Sequence, residues 1–267
     1  MATIKLPASY YREYDADYTR DVPAEGYQGW DRADVELSLE HTAVVVMHAW
    51  AAPQPGQFPG EMRAVEYIPR AQEICRTVLP PLLVAVRASP MRLFHVVGGG
   101  DYYKALPGYV ETAKLAGPSP KREQVPADPT WTKLRQFRGE RIMGAHNLPD
   151  IQGYFRQVDF DPNARPVASE PIAEDTHQLA ALCLHHKINH LIYAGFAVDW
   201  CLLMSPGGMA DIRWHGVMCS VLRQATTAVE NKVSARQQLC KEIGLWRVAI
   251  AFGFVFDVPD LVQALRS

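Results

Sequence analysis

The sequence predicts an α/β fold of three layers, α/β/α, on a central parallel sheet of about six strands. Three observations predict it. "TAVVVMH" (Thr42 to His48), "MRLFHVV" (Met91 to Val97) and "HLIYAG" (His190 to Gly195) are short apolar runs of the kind that form strands buried on both faces. Between these runs, apolar residues recur at helical spacing, so strand and helix alternate along the chain. At 267 residues and 48% hydrophobic content, the chain has enough apolar surface for one large core. We read residues 1–267 as one domain, with an N-terminal arm at 1–40 and an irregular insertion at about 98–166.

The elements follow in order. Residues 1–40 are polar and aromatic, without a strong period, and read as an arm packed on the surface of the domain. The first strand, Thr42 to His48, is broken by "AAPQPGQFPG". "EYIPRAQEICRTVLPPLLVAVRAS" has helical spacing and leads into the second strand at Met91 to Val97, so this β-α-β unit implies a parallel pair with a right-handed crossover. Gly98 to about Pro166 reads as irregular, the kind of excursion that serves as a lid, a binding loop or an oligomer contact. Helical spacing returns at "EDTHQLAALCLHHK", with Asp175 or Thr176 as cap, and "HLIYAG" follows as a strand. A helix is expected from Cys201 through about Trp214, interrupted in character by "SPGGM", which marks a late helix start or a close backbone approach. "GVMCSVLR" and "GFVFD" are the remaining strands, "SARQQLCKEIGLWRVAIAF" a helix between them, and "VPDLVQAL" a closing helix with Asp257 at its cap.

Composition excludes several classes of function. A formal net charge of -2 gives no broad basic field, so neither nucleic acid nor an anionic membrane is expected as a partner, and a small-molecule substrate is. The five cysteines are odd in number, scattered and without CxxC spacing, which argues for reduced thiols rather than a disulfide framework or a zinc ribbon. The N-terminus has no basic start followed by an apolar run, and no apolar stretch approaches membrane-spanning length, so a cytoplasmic location is expected.

Ligands of a doubly wound sheet sit at the carboxyl ends of its strands. His48 closes the first strand and Cys201 lies just beyond "HLIYAG", so both face that edge. A thiol in the first turn of a helix lies beside unpaired backbone N–H groups that stabilise a thiolate and can receive a developing oxyanion. The ordinary reading of each is plainer: a free cysteine fills a core, and a histidine closing a strand is hydrogen-bonded there. His95, inside its strand, is read in that plain way.

These segments resemble the isochorismatase-like cysteine hydrolases. The likeness is carried by "TAVVVMHAW", by "LPPLLVAVRASPMRLFHVV" and by "HLIYAGFAVDWCLLM", and it runs from about Thr42 to Asp257. It implies a Rossmann-like fold, homo-oligomeric assembly, and Cys201 at the position of the family's nucleophile. Ala197 and Val198 fall where the family has a non-proline cis peptide that shapes the oxyanion site. This chain departs from the family by carrying His48 in place of its catalytic aspartate and Trp50 in place of its glutamine, and the family's lysine has no clear counterpart. Glu170 is the nearest occupant of that last place.

The exchange suggests a Cys201–His48–Glu170 triad, in which His48 takes the thiol proton and Glu170 accepts from the other ring nitrogen. The expected reaction is hydrolysis of a carbon–nitrogen bond in a small amide through a thioester. Trp50, Phe196 and Trp200 flank the proposed site together with Ala197 and Val198, as aromatic walls of a small-molecule pocket. The alternative reading is a protein that kept the fold and lost the chemistry, binding a small molecule or a partner through the same pocket. No cofactor or required metal is expected: "VVGGGDYY" lacks the phosphate-loop pattern, and Asp101 stands without a neighbouring histidine of the kind that ligates metal in the related nicotinamidases.

Overall fold

The computed structural model describes residues 2–121 and 123–266. Its eight strands form one sheet: β1 (Thr3–Arg12), β2 (Gly29–Ser38), β3 (Thr42–Met47), β4 (Arg92–Val96), β5 (Ile172–Ala173), β6 (His190–Gly195), β7 (Met218–Thr226) and β8 (Val255–Phe256). Their order across the sheet is β2-β1-β8-β7-β6-β3-β4-β5. The six strands from β3 to β8 are parallel, as the alternation requires. The N-terminal arm differs from its expectation, because β1 and β2 pair antiparallel from Thr3↔Ser38 to Arg12↔Gly29 and β1 adds to the edge of β8.

Every residue of β3 and of β6 is buried. Period-two alternation sends Val44 and Val46 to one face, against Ile74, Leu82 and Leu83 of α2 (Ile68–Thr77) and α3 (Leu79–Arg87). Ala43, Val45 and Met47 face the other way, against Leu179 and Leu182 of α7 (Thr176–His186) and Leu245 and Val248 of α10 (Leu239–Ala251). Each such aliphatic side chain contributes roughly 1.5–3 kcal/mol by leaving water, so the two layers hold the sheet from both sides. Asp175 caps α7 by accepting from the Gln178 N–H at 2.8 Å.

About half of the segment 98–166 is helical, where the sequence reads as irregular. It holds α4 (Pro107–Ala116), α5 (Pro129–Gly139), a π-turn at Glu140–Gly144 and α6 (Leu148–Phe155). Its prolines start these helices, where the missing N–H costs nothing, and Asp128 caps α5 through the Thr130 and Trp131 N–H groups. The same rule divides the expected long helix before β4, because Pro80 and Pro81 open α3 directly after α2.

Beyond β6 the expected helix is two short ones, α8 (Cys201–Met204) and α9 (Met209–Ile212). The "SPGG" break is a close backbone approach: Tyr193 Oη donates to the Gly207 carbonyl at 2.8 Å, Gly207 N–H donates to Thr176 Oγ1 at 2.9 Å, and Gly207 has φ +80°. The chain closes with α11 (Val258–Arg266). The carboxylate of Asp257, expected to cap it, accepts from Gln224 Nε2 at 2.6 Å.

A candidate active site at the switch point of the sheet

The chain runs from β3 outward through β4 to β5, then returns to β6 on the other side of β3 and proceeds to β7 and β8. The strand order therefore reverses between β3 and β6, which is where such sheets open a crevice at their carboxyl ends. Met47 pairs with Gly195 across that boundary, so His48 and Phe196 leave the sheet side by side. Phe196 N–H donates to the Met47 carbonyl at 3.1 Å. The approach requires a glycine before it: Gly195 has φ +116°, and a Cβ there would lie 1.9 Å from Met47 O.

His48 occupies the left-handed region at φ +53°, a conformation that costs a non-glycine residue about 1 kcal/mol or more. Two backbone hydrogen bonds hold it there, from its N–H to Val96 O at 3.1 Å and to its carbonyl from Trp50 N–H at 2.9 Å. The ring is stacked on Trp50, with centroids 4.6 Å apart and planes 12° from parallel. Trp50 is itself fixed, since its Nε1–H donates to Tyr102 Oη at 2.8 Å and Phe155 packs edge-on against it. Burial pushes the His48 imidazole down to about 4, opposed by a backbone hydrogen bond at Val97, so the ring is neutral at physiological pH. Its buried Nδ1 has no hydrogen-bond partner.

Cys201 opens α8 and packs beside the apolar layer of α7 and α10. Burial pushes its thiol up, against hydrogen bonds from Ser205 and the backbone of Ala197, and the charge of Asp199 pushes the same way as burial. A four-residue helix supplies little dipole, so the helix adds little of the expected thiolate stabilisation. The non-proline cis peptide lies between Phe196 and Ala197, one bond earlier than the sequence placed it. Val198 N–H is committed to Thr227 O at 2.8 Å, and Ala197 O accepts from Trp200 and Leu202.

Glu170 does not join His48 and Cys201. Its carboxylate accepts from Arg87 at 2.6 and 2.9 Å, from His95 Nε2 at 2.9 Å and from Val167 N–H at 3.0 Å. These partners hold it down at about 2 in spite of its burial. His95 is thus the histidine that Glu170 engages, and the triad is corrected at its third member. Trp200 is also corrected, since it is 51% exposed and lies outside the cleft that His48, Trp50 and Phe196 line; Cys201 and the fully buried Ala197 and Val198 are likewise not among the walls of that cleft.

A small cleft of about 80 Å³ opens where His48, Trp50 and Phe196 meet α1 (Pro59–Ala64), the start of α2 and the end of α6. The sequence reading missed three of its polar groups: Glu61, Tyr67 and Tyr154. Burial pushes the Glu61 carboxyl up to about 7, and its Oε2 has no hydrogen-bond partner. Tyr67 is pushed up by burial and then by the charges of Cys201 and Glu61, so both groups lie near its hydroxyl. Tyr154 Oη donates to Ala51 O at 2.8 Å. The local text "FPGEM" carries no sign of this, because a carboxylate in a first helical turn is ordinarily solvated.

Among solved structures, the chain is similar to a cysteine hydrolase from Pseudomonas syringae pv. phaseolicola, at 13% identity and a TM-score of 0.51 over 86% of this chain and 94% of that one. It is also similar to an isochorismatase-like hydrolase from Alkaliphilus metalliredigens, at 15% identity and a TM-score of 0.47 over 85% and 99% of the two chains. No family model matches the chain, and no curated protein matches it in sequence. The fold is isochorismatase-like, a mostly parallel, Rossmann-like α/β sheet, and the resemblance read from the sequence holds at the level of fold. No helix among the described residues is long and apolar enough to cross a membrane.

Proposed function

We propose that this protein is a hydrolase that cleaves the carbon–nitrogen bond of a small amide, with Cys201 as nucleophile and His48 as the acceptor of its proton. The observation that carries the reading is the neutral, buried imidazole of His48 at the switch point, beside the segment that delivers Cys201. A general base must be unprotonated to work, and His48 meets that condition throughout the physiological range. In the reaction, the thiol proton passes to His48 as sulfur bonds to the carbonyl carbon. The carbon–nitrogen bond breaks, and the amine leaves with that proton. Water then attacks the thioester, giving the acid and the restored thiol. The Ala197 backbone N–H, which hydrogen-bonds the sulfur, serves as a donor for the developing oxyanion. Turnover of an amide and ester panel tests the assignment: Cys201→Ala and His48→Ala must each lose at least a hundredfold in kcat/KM, and unchanged turnover in either removes that residue from the mechanism.

One observation favours a second reading, a binding protein without turnover. Burial raises the Cys201 thiol, and the thiol's hydrogen bonds are with Ser205 and Ala197 rather than with His48. Iodoacetamide separates the two readings. Fast alkylation at neutral pH that slows in His48→Ala supports the hydrolase, and a slow rate indifferent to His48 supports the binding protein.

A further inference from the structure

The hydrolase reading leaves Glu61 without a role. Its residue is 3% exposed, its Oε2 is unpartnered, and its carboxyl lines the cleft. A buried carboxyl oxygen without a donor is costly to keep, which marks the position as one that a ligand completes. The nearest cations along the chain are engaged elsewhere: Arg63 Nε donates to Asn147 Oδ1 at 3.0 Å, and Arg70 donates to both oxygens of Glu66 at 2.6 and 2.8 Å. Among the described residues no lysine or arginine lines the cleft, and His48 is neutral. The rings of Trp50, Tyr67, Tyr154, Phe155 and Phe196 line the same cleft.

Aromatic faces attract organic cations, and a desolvated carboxylate attracts them further. We infer that the cleft takes a small organic cation, with Glu61 as counter-ion to its ammonium or amidinium group and the aromatic rings around its carbon body. The inference rests on the hydrolase reading only in identifying that ligand with the substrate; binding itself needs no turnover. Because burial keeps a proton on Glu61 up to about 7, an entering cation replaces that proton charge for charge.

Binding to the Cys201→Ala protein, followed by tryptophan fluorescence and calorimetry, tests the assignment. The probes are choline against its carbon analogue, in which carbon replaces the quaternary nitrogen, and benzylamine against benzyl alcohol. The cations are expected to saturate the protein at least tenfold more tightly than their neutral partners, a difference of about 1.4 kcal/mol, and Glu61→Gln is expected to erase that preference. If Glu61→Gln fails to fold, Phe155→Leu carries the test, because loss of one ring must weaken the cations more than the neutral probes. Equal affinity for both members of each pair, a cation preference that survives the variant used, or saturation by none of the four overturns the inference. Thioester formation on the unmodified protein is read separately by mass, so failure of either proposal leaves the other standing.

Discussion

The imidazole of His48 lies flat on the indole of Trp50, with centroids 4.6 Å apart. Two features meet there: backbone hydrogen bonds hold the histidine in the left-handed region, and the indole covers a ring kept out of water at the carboxyl end of β3. Removing the indole should undo the second. In Trp50→Ala, water reaches the imidazole, and its pKa should rise from about 4 toward the ordinary histidine value, as read from the ring protons by NMR titration. A ring that still titrates near its starting value would mean that other neighbours, not Trp50, keep it dry.

Glu170 is a structural carboxylate, bound to Arg87 and His95. Its folded pKa, about 2, lies below the ordinary 4.5, so the native state binds fewer protons than the unfolded chain in that interval. The stability it contributes is present above pH 4.5 and is lost as pH falls toward 2, on the order of 2–3 kcal/mol in all. Glu170→Gln should therefore lower the urea midpoint at pH 7 and flatten the acid limb while leaving turnover within a few-fold of the unmodified protein. A large loss of kcat with unchanged stability would return Glu170 to the chemistry.

Glu61 has the opposite sign. Its folded pKa, about 7, is raised above 4.5, so its contribution is fully present below pH 4.5 and disappears as pH rises through 7. The groups around it are Tyr67 and Tyr154, whose hydroxyls feel its charge, the neutral His48, and Asp150, whose carboxylate accepts from the neighbouring Gly60 N–H. Glu61→Gln should gain stability relative to the unmodified protein at pH 8, by about 1–2 kcal/mol once water at the cleft mouth is allowed for, and show no gain at pH 4. Urea unfolding at the two pH values checks this.

The seam between β3 and β6 depends on Gly195. With φ +116° and Met47 O 1.9 Å from the position of a Cβ, Gly195→Ala forces the two backbones apart. A loss above about 4 kcal/mol, or failure to accumulate as folded protein, is expected. A folded variant with an unchanged melting temperature would contradict the close approach.

Much of this was legible in the residues. The mostly apolar text of Thr42–Met47 and His190–Gly195 reads as strands covered on both faces, and alternation with helices places His48 and Cys201 at one edge. The rest depends on distance along the chain. Glu170 meets Arg87 across 83 positions, so no local spacing could reveal that its carboxylate was already engaged. Pro107 and Pro129 read as breakers in isolation, yet they open α4 and α5, which hid the helices of the 98–166 segment. Nothing in the local text singles out Glu61, because α6 and the rings that bury it come from other parts of the chain.

The central claim is that Cys201 bonds to the substrate carbonyl, and intact-protein mass spectrometry after acid quench tests it most directly. With an activated ester or amide from the panel, the account predicts one added acyl mass that maps to Cys201, decays with time and is absent in Cys201→Ala. No adduct under conditions of turnover, or an adduct that persists in Cys201→Ala, would contradict it.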